Sequence, residues 1–332
     1  MNIMVTGAAG FLGRRLIEHL LAQEYLTDQQ GQQRRISKII ACDVVPLEAV
    51  ADERVQVFCG DIADSHWLAS VFNQQIDTVF HLAAIVSSQA EEDFDLGMRI
   101  NFDATRSLLE RARQLGHCPK VIITSSVAVF GGELPAVVPD EQVWSPQSSY
   151  GTQKALNDLL LADYSRRGFV DGRSLRMPTI VVRPGKPNRA ASSFASGIIR
   201  EPLQGIDVIC PVSLQTPLWL LSPKMAINNL IHGHQLDASS QLKGGRVINL
   251  PGLSITVQQM IDALRRIAGD AVADHIKIQQ NPLIEKIVSS WPGDFAAHYA
   301  KALGFKSDKD FDSIINDFIL GNLPGKLVKL LE

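Results

Sequence analysis

The chain has 332 residues, enough for one large or two coupled domains, and its 45% apolar and 20% charged residues exclude a disordered or fibrous protein. Its 32 Lys and Arg against 35 Asp and Glu leave a formal charge of −3, so no cationic excess exists to neutralise a phosphate backbone and nucleic acid is not an expected partner. The cysteines at 42, 59, 118 and 210 form no CxxC pair, and they read as small buried hydrophobes of a reducing compartment. No apolar run approaches the roughly 20 residues of a membrane helix, and the start MNIMVTGAAG lacks the features of a signal peptide. The expectation is a cytoplasmic protein with no membrane partner.

In chain order, residues 1–6 predict a strand. A glycine-bearing turn follows, then a helix over 11–23 with Leu12, Leu16, Leu20 and Leu21 at helical spacing. The polar stretch 27–37 reads as a surface insertion. Buried strands are expected at 38–42, 55–59, 78–82 and 121–124. Helices are expected at 66–72, at 91–115 with the stripe Leu96, Ile100, Leu108 and Leu109, and at 149–167. Such alternation predicts an α/β fold, a Rossmann-type doubly wound parallel sheet covered on both faces. After about Pro184 glycine, proline and serine become dense. The expected division is a dinucleotide-binding domain over 1–183 and a smaller C-terminal substrate-binding region over 184–332, interleaved with the first. Within that region Thr256 and Gln259 have capping-box spacing and open an amphipathic helix through Ile267.

Three glycines, Gly7, Gly10 and Gly13, lie directly after the first strand and at the opening of the first helix. Lacking Cβ atoms, they allow a tight turn and the close approach of a pyrophosphate to helix N-terminal amides. The flanking strand and helix are the context that gives this pattern its meaning. Asp43 ends the second sheet strand, where a carboxylate accepts the ribose hydroxyls of NAD and repels a 2′-phosphate. It lies 30 residues beyond Gly13, more than the usual spacing of about 20, and the polar insertion absorbs the excess. Asp61 is read either as a contact to the adenine edge or as a helix N-cap. Leu82, Ala83 and Ala84 are small enough for a chain running close to a flat cofactor. His81, before them, is read as a packed structural histidine.

Tyr150 and Lys154 are spaced i, i+4, which places both on one helical face. A nearby ammonium favours the phenolate and fits the tyrosine to move the proton that accompanies hydride transfer. Thr124, Ser125 and Ser126 end the preceding strand and bring hydroxyls to the same crevice. No clustered His and Cys ligands suggest a metal.

Together TGAAGFLG, the strand-ending TSS and YGTQK resemble the extended short-chain dehydrogenase/reductase family. Trp291-Pro292 and ALGF at 302–305 extend the resemblance to almost the whole chain. The resemblance implies NAD as cofactor, Tyr150 as acid/base, Lys154 as the group that lowers its pKa and holds the nicotinamide ribose, and Ser126, with Ser125 second, as the group that orients the reacting oxygen. It also implies cofactor contacts from Phe11, Leu12, Ile62, Asn101 and Pro178, and a homodimer formed through helices 91–115 and 149–167. A narrower resemblance, in VRPGKPN at 182–188, in 191–202 and in SSVAVFGG at 125–132, points to the members of the family that oxidise the C2 hydroxyl of a four-carbon sugar acid. Such a substrate needs a cation for its carboxylate and neutral groups for its hydroxyls. Arg183, Lys186, Arg189 and Arg200 are the cation candidates, without a choice among them. Ser87, Ser88, Gln89, Asn188, Ser192 and Ser193 are the neutral candidates. The alternatives are a nucleotide-sugar 4-epimerase or dehydratase that keeps its NAD bound, and an NAD-sensing protein indifferent to loss of the Tyr150 hydroxyl.

Overall fold

A computed structural model describes residues 1–47, 50–72, 75–185, 192–237, 242 and 245–323. The chain forms β1 (Asn2–Thr6), α1 (Phe11–Gln23), β2 (Tyr25–Thr27), β3 (Gln33–Arg35), β4 (Lys38–Asp43), β5 (Val55–Cys59), α2 (Ser65–Val71) and β6 (Thr78–His81). Next come α3 (Ser87–Glu92), α4 (Phe94–Gly97), a π-helical segment (Met98–Asp103), α5 (Ala104–Gln114), β7 (Lys120–Ser126) and α6 (Ser149–Arg166). The remainder is β8 (Asp171–Met177), β9 (Thr179–Ile180), α7 (Ser193–Arg200), β10 (Val208–Cys210), β11 (Pro217–Leu221), α8 (Pro223–Gln235), β12 (Val247–Asn249) and β13 (Leu253–Thr256). It closes with α9 (Val257–Ala268), α10 (Asp270–Ala273), β14 (Ile276–Ile278), α11 (Pro282–Ser289), α12 (His298–Ala302) and α13 (Phe311–Asn322).

These elements fall into two compact units, Met1–Val129 with Pro146–Arg176 and Ile227–Asn249, and Phe130–Ser145 with Met177–Ala226 and Leu250–Glu332. The sequence reading drew one break at 183/184 with interleaving, whereas each unit is assembled from three segments. In the first unit a seven-stranded parallel sheet has the order β12-β8-β7-β6-β1-β4-β5. Strand order reverses between β1 and β6, so their carboxyl ends open the crevice where such sheets bind ligands. Apolar side chains of the strands, among them Met4, Ile40, Val79, Val121 and Ile123, pack against Leu68, Leu108, Leu109 and Leu161 from α2, α5 and α6. In the second unit β13, β11 and β9 form a small mixed sheet, and β10 pairs with β14. Its core joins Val181, Ile198 and Leu220 to Met260, Leu264, Ile315 and Phe318. The predicted capping box at Thr256 and Gln259 is present and starts α9.

Three expectations are corrected. The helix expected over 91–115 is broken: Asp93 takes an extended conformation, its carboxylate caps Leu96 N–H at 2.9 Å, and a π-helical turn follows before α5. Residues 55–59 form a strand but not a buried one, because β5 is the sheet edge, where Gln56, Val57 and Cys59 are exposed and Val55 and Phe58 only half-buried. Of the cysteines only Cys42 and Cys210 are buried, while Cys59 is exposed and Cys118 half-buried. The polar insertion is itself ordered as an antiparallel ribbon of β2 and β3.

Candidate active site

The first unit carries a cleft of about 540 Å³ above the carboxyl ends of β1, β4 and β6, a volume suited to a small-molecule ligand. Its floor is the glycine turn after β1. Gly7 has φ +70°, and a Cβ there would stand 2.8 Å from Ala83 N, so the turn and the segment after β6 touch backbone to backbone. At Gly13 a Cβ would stand 2.1 Å from Gly7 O, which is why α1 seats directly on the turn. Gly10 differs: its φ of −67° is ordinary, and its nearest protein atom would be Gly7 O at 3.1 Å. Gly10 faces the cleft, so the absent side chain leaves room there for a ligand to approach the backbone.

Asp43 stands at the end of β4 on the cleft wall. Its Oδ2 accepts Ala9 N–H at 2.9 Å and its Oδ1 accepts Val45 N–H at 3.0 Å, so the carboxylate is fixed against the glycine turn despite the distance in sequence. The β2–β3 ribbon takes up the intervening residues. Asp61 and Ile62 line the cleft from the segment after β5. Asp61 does not cap α2, a role taken by Asp64, which accepts the N–H groups of His66 and Trp67. Instead Asp61 pairs with Arg99 Nη1 at 2.6 Å. Burial alone would raise its pKa, but the hydrogen bonds from Arg99 and Ala63 N–H outweigh that and bring it below the usual value. Leu82, Ala83 and Ala84 form the opposite wall with Ile85 and Gln89.

A second group of side chains gathers where β7 ends. Ser148 caps α6 by accepting Gly151 N–H at 3.1 Å. A Cβ on Gly151 would stand 2.1 Å from Ala128 O, so the first turn of α6 lies directly on the turn that follows Ser126. Lys154, 4% exposed, donates from Nζ to Thr124 O at 2.8 Å, and its ammonium lies 5.5 Å from the centre of the Tyr150 ring. Burial pushes its pKa down to about 8, against the opposing charge of Asp158. Ser126 is half-buried, and its Oγ accepts Ala128 N–H at 3.1 Å, leaving the hydroxyl proton available to another acceptor. Ser125 is buried and its Oγ has no partner among the described residues, so β7 presents the two serines to different surroundings.

Comparison with known proteins decides the family. The profile of the NAD dependent epimerase/dehydratase family matches residues 3–216. The chain belongs to that family. It is 55% identical to the D-erythronate dehydrogenase of Cupriavidus necator over 96% of this chain and 98% of that protein. It is 47% identical to the D-erythronate dehydrogenase of Haemophilus influenzae over 96% and 99% of the two chains. Among solved structures, a protein of Agrobacterium tumefaciens described as a nucleoside-diphosphate-sugar epimerase superposes with a TM-score of 0.90 at 42% identity, covering 98% of this chain and 96% of that one.

As an epimerase/dehydratase family member the protein uses NAD, and the first unit fits it. The backbone contact at Gly7, the open face of Gly10 and the pre-set carboxylate of Asp43 are what a dinucleotide requires. Phe11 and Leu12 begin α1 and are half-buried but do not line the cleft. Asn101, 1% exposed in the π-helical turn, does not line it either. Its Oδ1 accepts Ile85 N–H at 2.9 Å and its Nδ2 donates to Gln153 Oε1 at 2.8 Å, so it ties the cleft wall to α6 from behind. Cleft residues that sequence reasoning missed include Arg14, Trp67 and Arg99. The signal for Trp67 was Gly60, where a Cβ would stand 2.2 Å from the indole nitrogen.

Ser87 and Ser88 are half-buried at the start of α3 in the first unit. Gln89, in the same helix, lines the cleft, and the remaining sequence candidates belong to the second unit, where Pro178 is buried, Ser192 precedes α7 and Ser193 begins it. Lys186, Asn188 and Arg189 lie outside the described residues. Arg200 is 3% exposed, donating to Arg183 O at 2.7 Å and to Glu201 Oε1 at 2.6 Å. Its guanidinium holds the second unit together, which weighs against its expected role on a substrate. Among the described residues no cluster of His, Cys, Asp and Glu is arranged to hold a metal, and no helix is long and apolar enough to cross a membrane.

Proposed function

We propose that the protein is an NAD-dependent dehydrogenase that oxidises the C2 hydroxyl of D-erythronate to give 2-dehydro-D-erythronate. The observation that carries the substrate is the 55% identity, over nearly the full length of both chains, to a D-erythronate dehydrogenase. The chemistry rests on the grouping of Ser126, Tyr150 and Lys154 where β7 ends.

Held by the turn at Gly7 and Gly10 and by Asp43, NAD would supply the acceptor for the hydride of C2. Tyr150 takes the hydroxyl proton as the C2–O bond becomes a carbonyl. The ammonium of Lys154, fixed on Thr124 O and lying beside the Tyr150 ring, favours the phenolate that makes Tyr150 a base. Ser126 donates its hydroxyl proton to the reacting oxygen, an arrangement supported by its acceptance of Ala128 N–H. Ser125 is enclosed and is the weaker candidate. Asp43 accepts the ribose hydroxyls with the oxygens it already holds toward the turn. With Arg200 engaged by Arg183 O and Glu201, the cations read from the sequence that remain for the substrate carboxylate are Arg183, Lys186 and Arg189.

A second reading, a nucleotide-sugar epimerase, is favoured by the likeness to the Agrobacterium protein so described. It would use the same tyrosine but return the hydride within each cycle. Purified protein mixed with NAD, and separately with NADP, is offered D-erythronate, L-threonate and UDP-glucose while reduced nicotinamide is followed by absorbance. Turnover with NAD and D-erythronate supports the dehydrogenase. Conversion of the nucleotide sugar without free NADH supports the epimerase.

The active form we infer is a homodimer in the cytoplasm. The exposed apolar residues Leu156 and Leu159 on α6 support a second copy at that face. The cysteines, all free thiols, support a reducing compartment.

A further inference from the structure

Behind the cleft wall a chain of hydrogen bonds runs from the Ala83 peptide to α6. Ala83 N–H donates to Thr6 Oγ1 at 3.2 Å, and Thr6 Oγ1 lies 2.7 Å from His81 Nδ1. His81 Nε2 lies 2.9 Å from Thr105 Oγ1, which donates to Asn101 O at 2.9 Å, and that carbonyl also accepts Asn157 Nδ2 from α6 at 2.7 Å. The proton order is set by the Thr105 hydroxyl, which donates to the Asn101 carbonyl one turn back and also accepts Asn157 Nδ2 at 3.4 Å. The single Thr105 proton goes to the Asn101 carbonyl, so Thr105 accepts from His81, and Nε2 carries the imidazole proton. A neutral ring then has a bare Nδ1, which takes the Thr6 hydroxyl proton, and the Thr6 oxygen is left to accept Ala83 N–H. A neutral ring is the form this enclosed place favours: burial, assisted by the Lys154 charge, brings the His81 pKa down to about 3.

The end of the chain matters because of what it touches. Ala83 N is the atom that a Cβ on Gly7 would meet at 2.8 Å, so there is no slack between this peptide and the cofactor turn. The other end is on α6, the helix of Tyr150 and Lys154. We propose that His81 is a positioning residue: through the Thr6 hydroxyl it fixes the Ala83 peptide on the cofactor cleft, and through Thr105 and the Asn101 carbonyl it holds that peptide in register with the helix that carries Tyr150 and Lys154. The proposal rests on the reading of the cleft as the NAD site.

Two measurements test it. NMR of the protein labelled with 15N at histidine reports the His81 tautomer directly. A neutral ring protonated at Nε2 at pH 6 is expected, and a ring protonated at Nδ1, or at both nitrogens, overturns the proposal. Thr105→Val removes the far anchor without touching the cleft lining, and Thr105→Ser restores the hydroxyl. The NADH Kd, read by fluorescence, is expected to rise roughly threefold to tenfold in Thr105→Val, the loss of about one neutral hydrogen bond, and to return to the wild-type value in Thr105→Ser. A Thr105→Val protein with a lowered melting temperature but an unchanged Kd assigns the chain a structural role only and overturns the positioning role. Failure of the wild-type protein to bind NADH refutes the cofactor reading instead, and the tautomer still decides the proton order. If Thr105→Val does not fold, Thr105→Ala takes its place in the NADH titration, with a raised Kd expected and an unchanged Kd overturning the positioning role.

Discussion

At the residue scale, the reaction depends on one proton and on what holds the groups around it. Tyr150→Phe removes the hydroxyl while keeping the ring beside Lys154, so kcat is expected to fall by about 10²-fold or more while NADH binding is kept. Steady-state rates and fluorescence titration check the two halves of that statement. The serines separate by the same logic. Ser126→Ala is expected to lower kcat on the order of 10²-fold, as loss of a donor to a reacting oxygen does. Ser125→Ala, which removes a buried hydroxyl without a partner among the described residues, leaves the rate unchanged. Equal losses in both variants contradict the assignment. Gly7, Ser126, Tyr150 and Lys154 stand out as candidates in the sequence because each belongs to a short pattern of fixed residue types, and Asp43 because it ends the second sheet strand. Arg200 could not be judged there, since whether a cation is engaged depends on Arg183 O, 17 residues away. The Asp61–Arg99 pair, spanning 38 residues, was hidden for the same reason.

Elements carry the buried histidines. His234 of α8 lies 3.0 Å from Thr78 Oγ1 and stacks on Phe80 of β6, and burial, with the charges of Lys120 and Arg173, holds its pKa well below the ordinary value. His81, at the end of the same strand, is depressed to about 3. Because both pKa values lie lower in the folded state, the unfolded chain takes up protons first as the pH falls below about 6.5. Stability is therefore full above that pH and is lost progressively below it. Melting temperatures measured between pH 7.5 and pH 5 are expected to fall, and to fall less steeply in His234→Gln. A flat profile in the wild-type protein contradicts the burial of neutral imidazoles.

Strand and helix periodicity placed β1, α1, β4, β6, β7 and α6 within a residue or two, because each has a continuous apolar stripe or run. Periodicity missed the break at Asp93 and the π-helical turn, since an apolar stripe continues across a local change of helical pitch. It also gave β5 a buried character that belongs only to interior strands, a property set by sheet order and not by composition.

Over the whole molecule, the two units are each drawn from three separated segments, and where those segments end depends on contacts distant in the chain, which composition along the sequence does not record. The association proposed for α6 is open to a direct check. Leu159 is 58% exposed, so Leu159→Glu costs the monomer little but places a carboxylate in a self-association face. Sedimentation is expected to give a dimer for the wild-type chain and a monomer for the variant, and a dimer in both places the interface elsewhere. The sedimentation result is independent of the substrate. The central claim is the oxidation of D-erythronate, and it is tested most directly by following reduced nicotinamide when purified protein is given NAD and D-erythronate. Steady NADH formation over many turnovers, absent with NADP and lost in Tyr150→Phe, is the predicted result. No NADH from D-erythronate, alongside interconversion of a nucleotide sugar by the same preparation, would contradict the account.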